Sequence, residues 1–423
     1  MTPAGAPRTL EEVVTSGLCT GCGLCASMVG DDTIRMGLNP LGHSRPAFVG
    51  RLEPRTEQRV LEVCPGARLT GEGRPPGAKT TPAWGPVRSM HRAWAGDEEI
   101  RHRAAAGGTL TALGRFLLET GEVEAVVHVR SSTTTPWLTD ALVSTTPESV
   151  LHGAQSRYGP SAPLVHITRM LDDGLRFAVI AKPCDISAMR SLARVDPRVN
   201  EQVRYLLTIF CGGVHNEEVP RKIIRHHGIT EEEVDIFRYR GFGWPGPTRV
   251  ETKVGARHDL TYEQAWQPGG GQTWRYELQF RCKICPDAVG ESADISAPDG
   301  WILKDGKPIY EEAPGTNALL VRTERGRDLV DRAVAAGALE LSPLSMRELE
   351  QMHVNHLDRR LGTPAQQLAL QITGSRRVAL RRYRPWAAMG KAGARRSWQQ
   401  FFGTFRRVRR GDNSEPLVDA PAG

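Results

Sequence analysis

Cysteines are the residues of this chain whose number and spacing carry the clearest chemistry. Cys19, Cys22 and Cys25 form a CxxCxxC run, and Cys64 follows with a proline directly after it. We call these four the first quartet; the second quartet is Cys184, Cys211, Cys282 and Cys285. A [4Fe–4S] cluster is held by four thiolates, and CxxCxxC with a distant Cys-Pro is the spacing of bacterial-ferredoxin sites. Two quartets leave no cysteine over, which predicts two clusters.

Two alternatives compete with a cluster at the first quartet. A zinc site takes two CxxC pairs, or one CxxC with two histidines, and three cysteines at successive CxxC spacing crowd that tetrahedron. Disulfides belong to oxidising compartments, and the N-terminal sequence MTPAGAPR lacks the apolar stretch of a signal peptide. The sequence therefore favours iron–sulfur ligands over both alternatives and predicts a cytoplasmic location.

The second quartet is less specific by spacing, because its members are spread widely along the chain. One CxxC with two single cysteines equally fits a zinc or redox pair and two buried thiols. The local context adds weight, because residues 177–181 and 205–210 predict buried strands, and Cys184 and Cys211 follow shortly after them. The carboxyl ends of strands in open α/β sheets are where ligands bind, so these thiols and the CxxC loop could form one cage.

The order of apolar segments predicts an α/β fold with two or three domains. Leucines at helical spacing predict a helix over Thr109–Glu119, and residues 124–129 and 140–144 predict strands. Strands and helices alternate through Cys211, which favours a largely parallel sheet. No apolar run is long enough to cross a membrane. The predicted units are a small cysteine-bearing module over 1–70, a Gly- and Pro-rich linker over 71–86, a mixed, largely parallel α/β body over 87–341 and a helical, basic tail over 342–423.

Basic residues concentrate in this C-terminal tail. Residues 376–410 contain twelve Lys or Arg and no Asp or Glu, so without them the formal net charge of +7 becomes −5. An aromatic stripe at helical spacing could lie on an anionic membrane surface, dock an acidic redox partner, or pack on the chain's own body. No nucleic-acid-binding motif accompanies the charge, and residues from Gly411 onward predict disorder. The stripe consists of Trp398, Phe401, Phe402 and Phe405.

Two further segments carry weaker signals. Gly107-Gly108-Thr109 precedes the predicted helix, and amides at a helix N-terminus bind phosphate where glycines let it approach. A plain turn explains the same residues. Pro298-Asp299-Gly300 is likewise a turn signal in its own right. Neither segment predicts a site when it is taken alone.

Taken in order along the chain, these motifs resemble the beta-subunit family of coenzyme F420-reducing hydrogenases and dehydrogenases. The resemblance covers roughly residues 90–340 and rests on the combination, since each motif alone is unspecific. The CxxCxxC module resembles the ferredoxin-like extension of many members. The matching motifs are Gly107-Gly108-Thr109, Ser156-Arg157-Tyr158-Gly159-Pro160, Lys182-Pro183-Cys184-Asp185-Ile186, Phe210-Cys211-Gly212-Gly213, Cys282-Lys283-Ile284-Cys285-Pro286-Asp287, Ala293-Asp294-Ile295-Ser296 and Pro298-Asp299-Gly300-Trp301.

This resemblance implies an iron–sulfur flavoprotein with an FAD-binding body. It implies that the second quartet ligates a [4Fe–4S] cluster beside the flavin. No Cys-Pro follows Cys25 closely, so Cys64 is the fourth ligand of a single cluster in the N-terminal module. Lys182 and Arg157 are expected to stabilise the reduced flavin by their charge, with a surface cation as the alternative for each. The residues expected to bind FAD are Gly107, Gly108, Thr109, Thr111, Arg157, Tyr158 and Lys182.

Three functions fit these expectations. The first is an F420-linked flavoenzyme, or a ferredoxin-dependent reductase of another substrate, which passes electrons between a one-electron donor and a hydride acceptor through two clusters and FAD. The second is a non-catalytic electron-transfer subunit of a larger complex. The third is a sensor of redox state or iron, which needs no flavin. The expected partners are ferredoxin or another redox subunit, and coenzyme F420 or another hydride acceptor; the choice of F420 rests on family analogy.

Overall fold

The N-terminal module packs around its own apolar core. The structure is a computed structural model that describes residues 5–383 and 392–419. Thr9 caps the first helix, because its hydroxyl accepts a hydrogen bond from the amide of Glu12 at 3.1 Å. Leu18, Ile34 and Leu69 are buried in the core of the module. Its elements are α1 (Leu10–Thr15), α2 (Leu24–Val29), β1 (Ile34–Leu38), β2 (Ser44–Phe48), α3 (Pro54–Val63) and β3 (Arg68–Thr70).

The segment with linker composition, residues 71–86, contains most of a short hairpin, β4 (Lys79–Thr81) and β5 (Gly85–Val87). Trp84 in the hairpin is buried and stacks on Phe210, with ring centroids 5.7 Å apart. The hairpin therefore packs on the body of the protein. The domain boundaries themselves stay predictions.

The first half of the body alternates strands and helices as predicted. The helix over Thr109–Glu119 and the strand over Phe177–Ala181 are confirmed at these bounds. The strand before Cys211 ends at Thr208, two residues earlier than the predicted one. The elements are β6 (Ser89–Ala95), α4 (Glu98–Arg103), α5 (Thr109–Glu119), β7 (Ala125–Ser131), β8 (Thr139–Ser144), α6 (Ile167–Asp172), β9 (Phe177–Ala181), α7 (Pro183–Leu192), α8 (Arg198–Gln202), β10 (Val203–Thr208) and α9 (Glu218–His226).

The second half of the body contains more antiparallel pairs. Three strands, β11 to β13, form a separate antiparallel sheet, and β15 and β16 form a hairpin. The elements are β11 (Val234–Arg238), β12 (Thr248–Thr252), β13 (Arg257–Leu260), α10 (Tyr262–Trp266), α11 (Phe280–Lys283), β14 (Ile295–Ser296), β15 (Ile302–Lys304), β16 (Lys307–Ile309), β17 (Asn317–Val321), α12 (Glu324–Ala335) and β18 (Leu339–Pro343).

Eight of these strands form one mixed sheet in the order β18-β6-β17-β14-β10-β9-β7-β8. The predicted parallel pairing holds in the middle of the sheet, where β14, β10, β9 and β7 run parallel. The four outer pairings are antiparallel, so the α/β fold is confirmed with a mixed sheet. Neighbouring residues of one strand, such as Leu206 and Leu207, enter the two cores on opposite faces of this sheet.

The C-terminal region is helical but not an appendage. Its elements are α13 (Met346–Met352), α14 (Val354–Ile372), β19 (Ala379–Arg381) and α15 (Ala394–Arg409). Strand β19 pairs in parallel with β3, so the tail adds a strand to the N-terminal module. Helix α15 packs on α14, where Gln366 donates to Gln400 at 2.8 Å. Within the described ranges, no helix is long and apolar enough to cross a bilayer.

Part of the segment predicted to be disordered is held against the N-terminal module. The amide of Glu415 donates to the carbonyl of Thr15 at 3.1 Å, and the side chain of Glu415 is buried. The prediction of disorder from Gly411 is therefore wrong for residues 411–419. Residues 420–423 lie outside the described residues. Composition misled here because the contact partners of this segment are hundreds of residues away in sequence.

We predict that truncating Leu370 to alanine lowers the free energy of unfolding by about 2–5 kcal/mol. Leu370 on α14 is 0% exposed and packs into the core of the N-terminal module, so the change leaves a cavity where tail and module meet. Leu368→Ala on the same helix is the matched control, since Leu368 is 44% exposed and its truncation should cost within about 0.5 kcal/mol. Chemical denaturation measures both variants. Equal losses would contradict the docking of the tail on the module.

Candidate metal and flavin site

The first quartet lines one apolar cavity in the N-terminal module. Cys19 and Cys22 lie in the loop between α1 and α2, Cys25 in α2, and Cys64 at the C-terminal end of α3. The other lining residues are almost entirely apolar, so the cavity is shielded from water. They include Leu10, Val13, Val14, Leu24, Met36, Pro46, Val60, Val63 and Pro65.

Two glycines shape the cysteine loop. Gly21 and Gly23 have φ angles of +73° and +84°, a backbone conformation that favours glycine. A Cβ on Gly21 would lie 2.7 Å from the carbonyl oxygen of Ser44, and one on Gly23 would meet Val165 at 2.6 Å. The glycines in the sequence Cys-Thr-Gly-Cys-Gly therefore let the loop turn tightly enough to bring its thiols to one cavity.

Burial favours the protonated form of these thiols. Burial raises the pKa of Cys64 to about 11, with the neighbouring Cys19 adding to the effect. Burial and the neighbouring cysteines also raise the pKa of Cys25. The amide of Gly21 donates to the sulfur of Cys19 at 3.4 Å, the kind of bond that stabilises a thiolate. A metal that binds here must displace protons, because thiolates are the ligands.

The second quartet comes together at the carboxyl edge of the sheet. Cys184 lies in the first turn of α7, directly after β9, and Cys211 follows β10. The parallel pairing of β9 and β10 matches Ala181 with Thr208, which places both loops at one edge. Cys282 lies in α11 and Cys285 lies just after it. The segment that follows them is held at the same edge, because the amide of Cys211 donates to the carbonyl of Ala288 at 2.9 Å.

The thiols of the second quartet interact electrostatically with one another. Burial raises the pKa of Cys211 to about 12, and Cys282 and Cys285 add to the shift. Cys211 and Cys285 act in the same direction on the pKa of Cys184, after burial. The sulfur of Cys282 accepts hydrogen bonds from the Val214 amide at 3.4 Å and from Gln279 Nε2 at 3.2 Å. The structure thus assembles the second quartet that spacing alone left open.

The arrangement of the quartets bears on the two alternatives to clusters. All eight cysteines are free thiols, so no disulfide joins any of them. In the described part of the chain, no three His, Cys, Asp or Glu side chains are grouped closely enough to hold a single metal ion. A [4Fe–4S] cluster spreads its four ligands around a cube of irons, whereas zinc draws four sulfurs to about 2.3 Å from one ion. Which metal group the quartets hold stays a prediction.

A buried ionic network from the C-terminal region holds the loop after Cys285. Arg360 on α14 donates to the carbonyl of Pro286 at 2.9 Å and lies 3.5 Å from the carboxylate of Asp287. It also pairs with the buried Glu291. The hydroxyl of Tyr383 donates to Asp287 at 3.1 Å. Sequence reasoning missed this network, since no local signal links α14 to a cysteine loop.

Residues Gly107 to Thr111 form the start of α5. A Cβ on Gly107 would lie 2.6 Å from the carbonyl oxygen of Ala93, so packing on β6 already requires glycine there. The Thr109 amide donates to Asn317 Oδ1 at 3.3 Å, and the Thr109 hydroxyl is buried without a partner. That hydroxyl could serve a ligand, whereas the glycine has a structural explanation. Flavin binding by this segment stays a prediction.

Arg157 is engaged by the protein itself. Its guanidinium donates to the hydroxyls of Ser131 and Thr139 and to four backbone carbonyls, which occupies its donors. It also lies over the ring of Tyr239, 5.0 Å from the centroid. These contacts favour a structural role over the predicted charge beside a flavin, and flavin binding by Arg157 is untested.

Arg240 joins two of the predicted flavin segments. It is 3% exposed, donates to the hydroxyl of Tyr158 at 3.3 Å and to the carbonyl of Ala105 at 2.6 Å, two residues before Gly107. Its carboxylate partner is Asp299, at 2.8 Å. The sequence analysis found Asp299 as part of a turn signal and of a family motif, without a role, and missed Arg240. The structure thus connects Tyr158 to the Gly107 segment through one buried ion pair.

Lys182 lies with the second quartet. Its ammonium group is 2.9 Å from the carboxylate of Asp185 and 3.0 Å from the hydroxyl of Ser161. Burial alone would lower the pKa of Lys182, but the Asp185 carboxylate and the thiols of Cys184 and Cys211 outweigh it, so the pKa of Lys182 is raised. Burial raises the pKa of Asp185 as well, against the effect of the Lys182 charge. Lys182 therefore lies at the cysteine edge as one half of an ion pair with Asp185, and its role beside a flavin stays a prediction.

Two stretches of the chain match one protein family. Residues 90–168 match the N-terminal region, and residues 174–347 the C-terminal region, of the beta subunit of coenzyme F420 hydrogenase/dehydrogenase. The chain belongs to the coenzyme F420 hydrogenase/dehydrogenase beta-subunit family. The predicted family is thereby confirmed, and the matched residues contain the entire second quartet.

Named relatives of this family member cover different shares of it. A coenzyme F420-dependent sulfite reductase of Methanocaldococcus jannaschii is 23% identical over 374 residues, which cover 83% of this chain and 50% of the relative. A coenzyme F420 hydrogenase subunit beta of Methanococcus voltae is 28% identical over 273 residues, covering 61% of this chain and 85% of the relative. The chain thus spans half the length of the sulfite reductase. Both relatives are named as oxidoreductases or their subunits, so the family is one of oxidoreductases.

A solved structure shares the fold of this beta-subunit family member. It is a chain of the F420-reducing [NiFe] hydrogenase complex from Methanosarcina barkeri, with a TM-score of 0.54 and 22% sequence identity. The match covers 70% of this chain and 96% of that chain. At this identity the similarity shows a common fold.

We predict that Lys182→Met destabilises this family member by about 3–5 kcal/mol, because it leaves the fully buried Asp185 carboxylate without its partner. The double variant Lys182→Met, Asp185→Asn should recover most of the loss, since it removes the unpaired charge. Melting temperatures of the three proteins measure the effect. A double variant no more stable than the single one would show that the pair is not the source of the loss.

We predict that Cys22→Ser and Cys282→Ser each remove about half of the bound iron, from about eight to about four irons per chain. Each substitution deletes one thiolate from a different quartet, and a [4Fe–4S] cluster that lacks one of its four thiolates is labile during purification. Thr20→Ser, in the same loop, is the control and should keep all the iron. Iron and acid-labile sulfide analysis after anaerobic purification measures this. Full iron in either cysteine variant would exclude that residue as a ligand.

Proposed function

We propose that this chain is an iron–sulfur flavoprotein oxidoreductase that relays electrons between an external one-electron donor and a hydride acceptor. The observation that carries the proposal is the grouping of all eight cysteines into two quartets of free thiols, which are buried or half-buried. Four thiols in each group match the ligand number of a [4Fe–4S] cluster. The family match supports the same conclusion for the second quartet.

Each quartet would hold one cluster, and the chain's own residues prepare the two places. Apolar side chains such as Leu24, Val60 and Val63 exclude water from the first cavity. Donors from Gly21, Val214 and Gln279 point at cysteine sulfurs and stabilise their negative charge. When bound, such clusters exchange single electrons while FAD exchanges one or two, which links a one-electron donor to a hydride acceptor.

FAD is proposed to bind near the carboxyl edge of the sheet, in contact with the segments that begin at Gly107 and at Arg157. The supporting contacts are the Arg240 bridge between Tyr158 and Ala105 and the unpartnered hydroxyl of Thr109. Lys182 would supply a positive charge beside the reduced flavin, because it stays protonated beside Asp185. Arg157 would act by holding residues 136–138 in place.

Coenzyme F420 is the hydride acceptor that we propose. Its support is that the names of the relatives in this family include coenzyme F420 in a hydrogenase subunit and in a sulfite reductase. The chain spans half the length of that sulfite reductase. Any reaction carried out by the unmatched half of that protein is not part of the proposal. A ferredoxin-dependent reductase of another substrate is the second candidate, and a non-catalytic electron-transfer subunit is the third.

Ferredoxin or another redox subunit is the proposed one-electron partner. The F420 hydrogenase relatives are named as subunits, which favours assembly with further chains. The basic helix α15 packs on α14 with one side, yet Trp398 on it is 61% exposed and Phe402 43%. Contact of this face with an acidic partner or a membrane surface stays a secondary proposal. Eight free thiols favour a reducing compartment such as the cytoplasm.

The test is to purify the full chain anaerobically and to measure iron, sulfide and released flavin, followed by turnover. We predict about eight irons and one FAD per chain, and reduction of F420 by the isolated chain with a reduced dye as electron source. F420 has its own absorbance, so the reaction is read directly. Cys22→Ser is a useful comparison, because it should impair electron delivery from a large external donor while flavin remains.

Each result selects among the candidate functions. Clusters and FAD without F420 turnover, but with dye-to-ferredoxin electron transfer, favour the electron-transfer subunit. Turnover of ferredoxin with another acceptor favours the second candidate. Iron without flavin favours a sensor, and zinc without flavin contradicts the proposal altogether.

A further inference from the structure

Two buried arginines lie between the first and the second quartet. Arg45 on β2 is 1% exposed and Arg281 on α11 is 2% exposed. Each positive charge acts on one thiol of each quartet: Arg45 on Cys19 and Cys282, and Arg281 on Cys64 and Cys285. The contacts agree with this placement: Arg45 precedes Pro46 of the first cavity and reaches Cys282 through Gln279, and Arg281 precedes Cys282 and donates to the carbonyl of Pro65.

Arg45 is fully compensated by the C-terminal segment. Its Nε lies 2.7 Å from Oε2 of Glu415 and its Nη2 lies 3.0 Å from Oε1, a two-point ion pair between residues that are both buried. Arg45 also donates to Gln279 Oε1 at 2.9 Å, and Gln279 in turn donates to the sulfur of Cys282 at 3.2 Å. The negative charge of Glu415 cancels the positive charge of Arg45 beside both quartets.

Arg281 has no such counterion. Its one hydrogen bond runs from Nη2 to the carbonyl of Pro65 at 3.4 Å, directly after Cys64. Its Nε and Nη1 are buried without a partner, and no carboxylate among the described residues pairs with it. Burial raises the pKa of Cys64 to about 11, and the Arg281 charge opposes this rise. The same charge opposes the effect of burial on the pKa of Cys285.

A buried, unpaired guanidinium is costly, because it gives up its hydration without gaining an anion. Two unused N–H donors beside two groups of thiols point to sulfur as the missing partner. A cluster with four cysteine thiolates carries net negative charge, and hydrogen bonds to its sulfurs tune its potential. Arg281 is thus placed to serve as the counterion of both clusters at once.

We propose that Arg281 is a positioning residue shared by the two clusters, which donates Nε–H and Nη1–H to their sulfur atoms and raises the reduction potential of both. This inference rests on the proposed function, since it requires that both quartets hold clusters. Arg45 has little net effect in the native protein, because Glu415 neutralises it. The C-terminal segment around Glu415 thereby belongs to the electrostatic surroundings of the clusters, although it lies far from every cysteine in sequence.

The sign of the effect follows from the charges. Reduction adds negative charge to a cluster, and a nearby cation stabilises the reduced form more than the oxidised form. Removing the charge of Arg281 must therefore lower the potentials. Removing the charge of Glu415 leaves Arg45 uncompensated and must raise them. Opposite shifts from two neutral glutamine substitutions are a signature that loss of packing does not produce.

The experiment is a potentiometric titration of the full chain, purified anaerobically and monitored by electron paramagnetic resonance of the reduced clusters. The variants are Arg281→Gln, Arg281→Lys and Glu415→Gln, with Arg51→Gln as a control because the side chain of Arg51 is 86% exposed. We expect lower potentials for both clusters in Arg281→Gln, higher potentials in Glu415→Gln, and values near the native ones in Arg281→Lys and Arg51→Gln. Loss of iron in Arg281→Gln with full iron in Arg281→Lys also supports the proposal.

Other results overturn it. Unchanged potentials in an iron-replete Arg281→Gln protein would show that Arg281 only holds the Pro65 carbonyl. Shifts of the same sign in Arg281→Gln and Glu415→Gln, or loss of iron in both Arg281 variants, would show that packing and not charge is responsible. A native chain without iron would instead contradict the proposed function, so the two failures are distinct.

Discussion

Buried charges that need partners from distant parts of the chain are the constraint on which this structure depends. Arg45 in the N-terminal module finds its carboxylate at Glu415, 370 residues later. Arg360 on α14 holds Asp287 and Glu291, directly after the CxxC loop. Each of these groups would be strongly destabilising without its partner. The N-terminal module, the body and the C-terminal helices are therefore joined at the cysteines.

The edge of the large sheet supplies only part of the second quartet, and other elements supply the rest. Strands β9 and β10 carry Cys184 and Cys211 to the same edge because they are parallel and in register. The CxxC loop arrives from elsewhere and is fastened there by the Cys211 amide and by Arg360.

The basic tail is integrated into the fold. Strand β19 extends the pairing of β3, and α15 packs against α14. Pro364 lies inside α14, and the helix ends at Ile372, close to Gly374 with its positive φ. One side of α15 packs on α14, while Trp398 and Phe402 on the helix remain exposed. A partner-binding role and a structural role are thus compatible in this tail.

The sequence by itself determined the features that depend on neighbours along the chain. The CxxCxxC spacing, the helix at Thr109, the strand at Phe177 and the family resemblance are all local signals, and the structure or the family match bears out the helix, the strand and the family. Only the tertiary structure decided what depends on distant neighbours: the antiparallel outer strands, the bonds that occupy Arg157, the Arg240 bridge and the two arginines between the quartets. The physical reason is that the free-energy cost of burying a charge or a hydrogen-bond donor depends on its partner. No spacing rule identifies a partner hundreds of residues away.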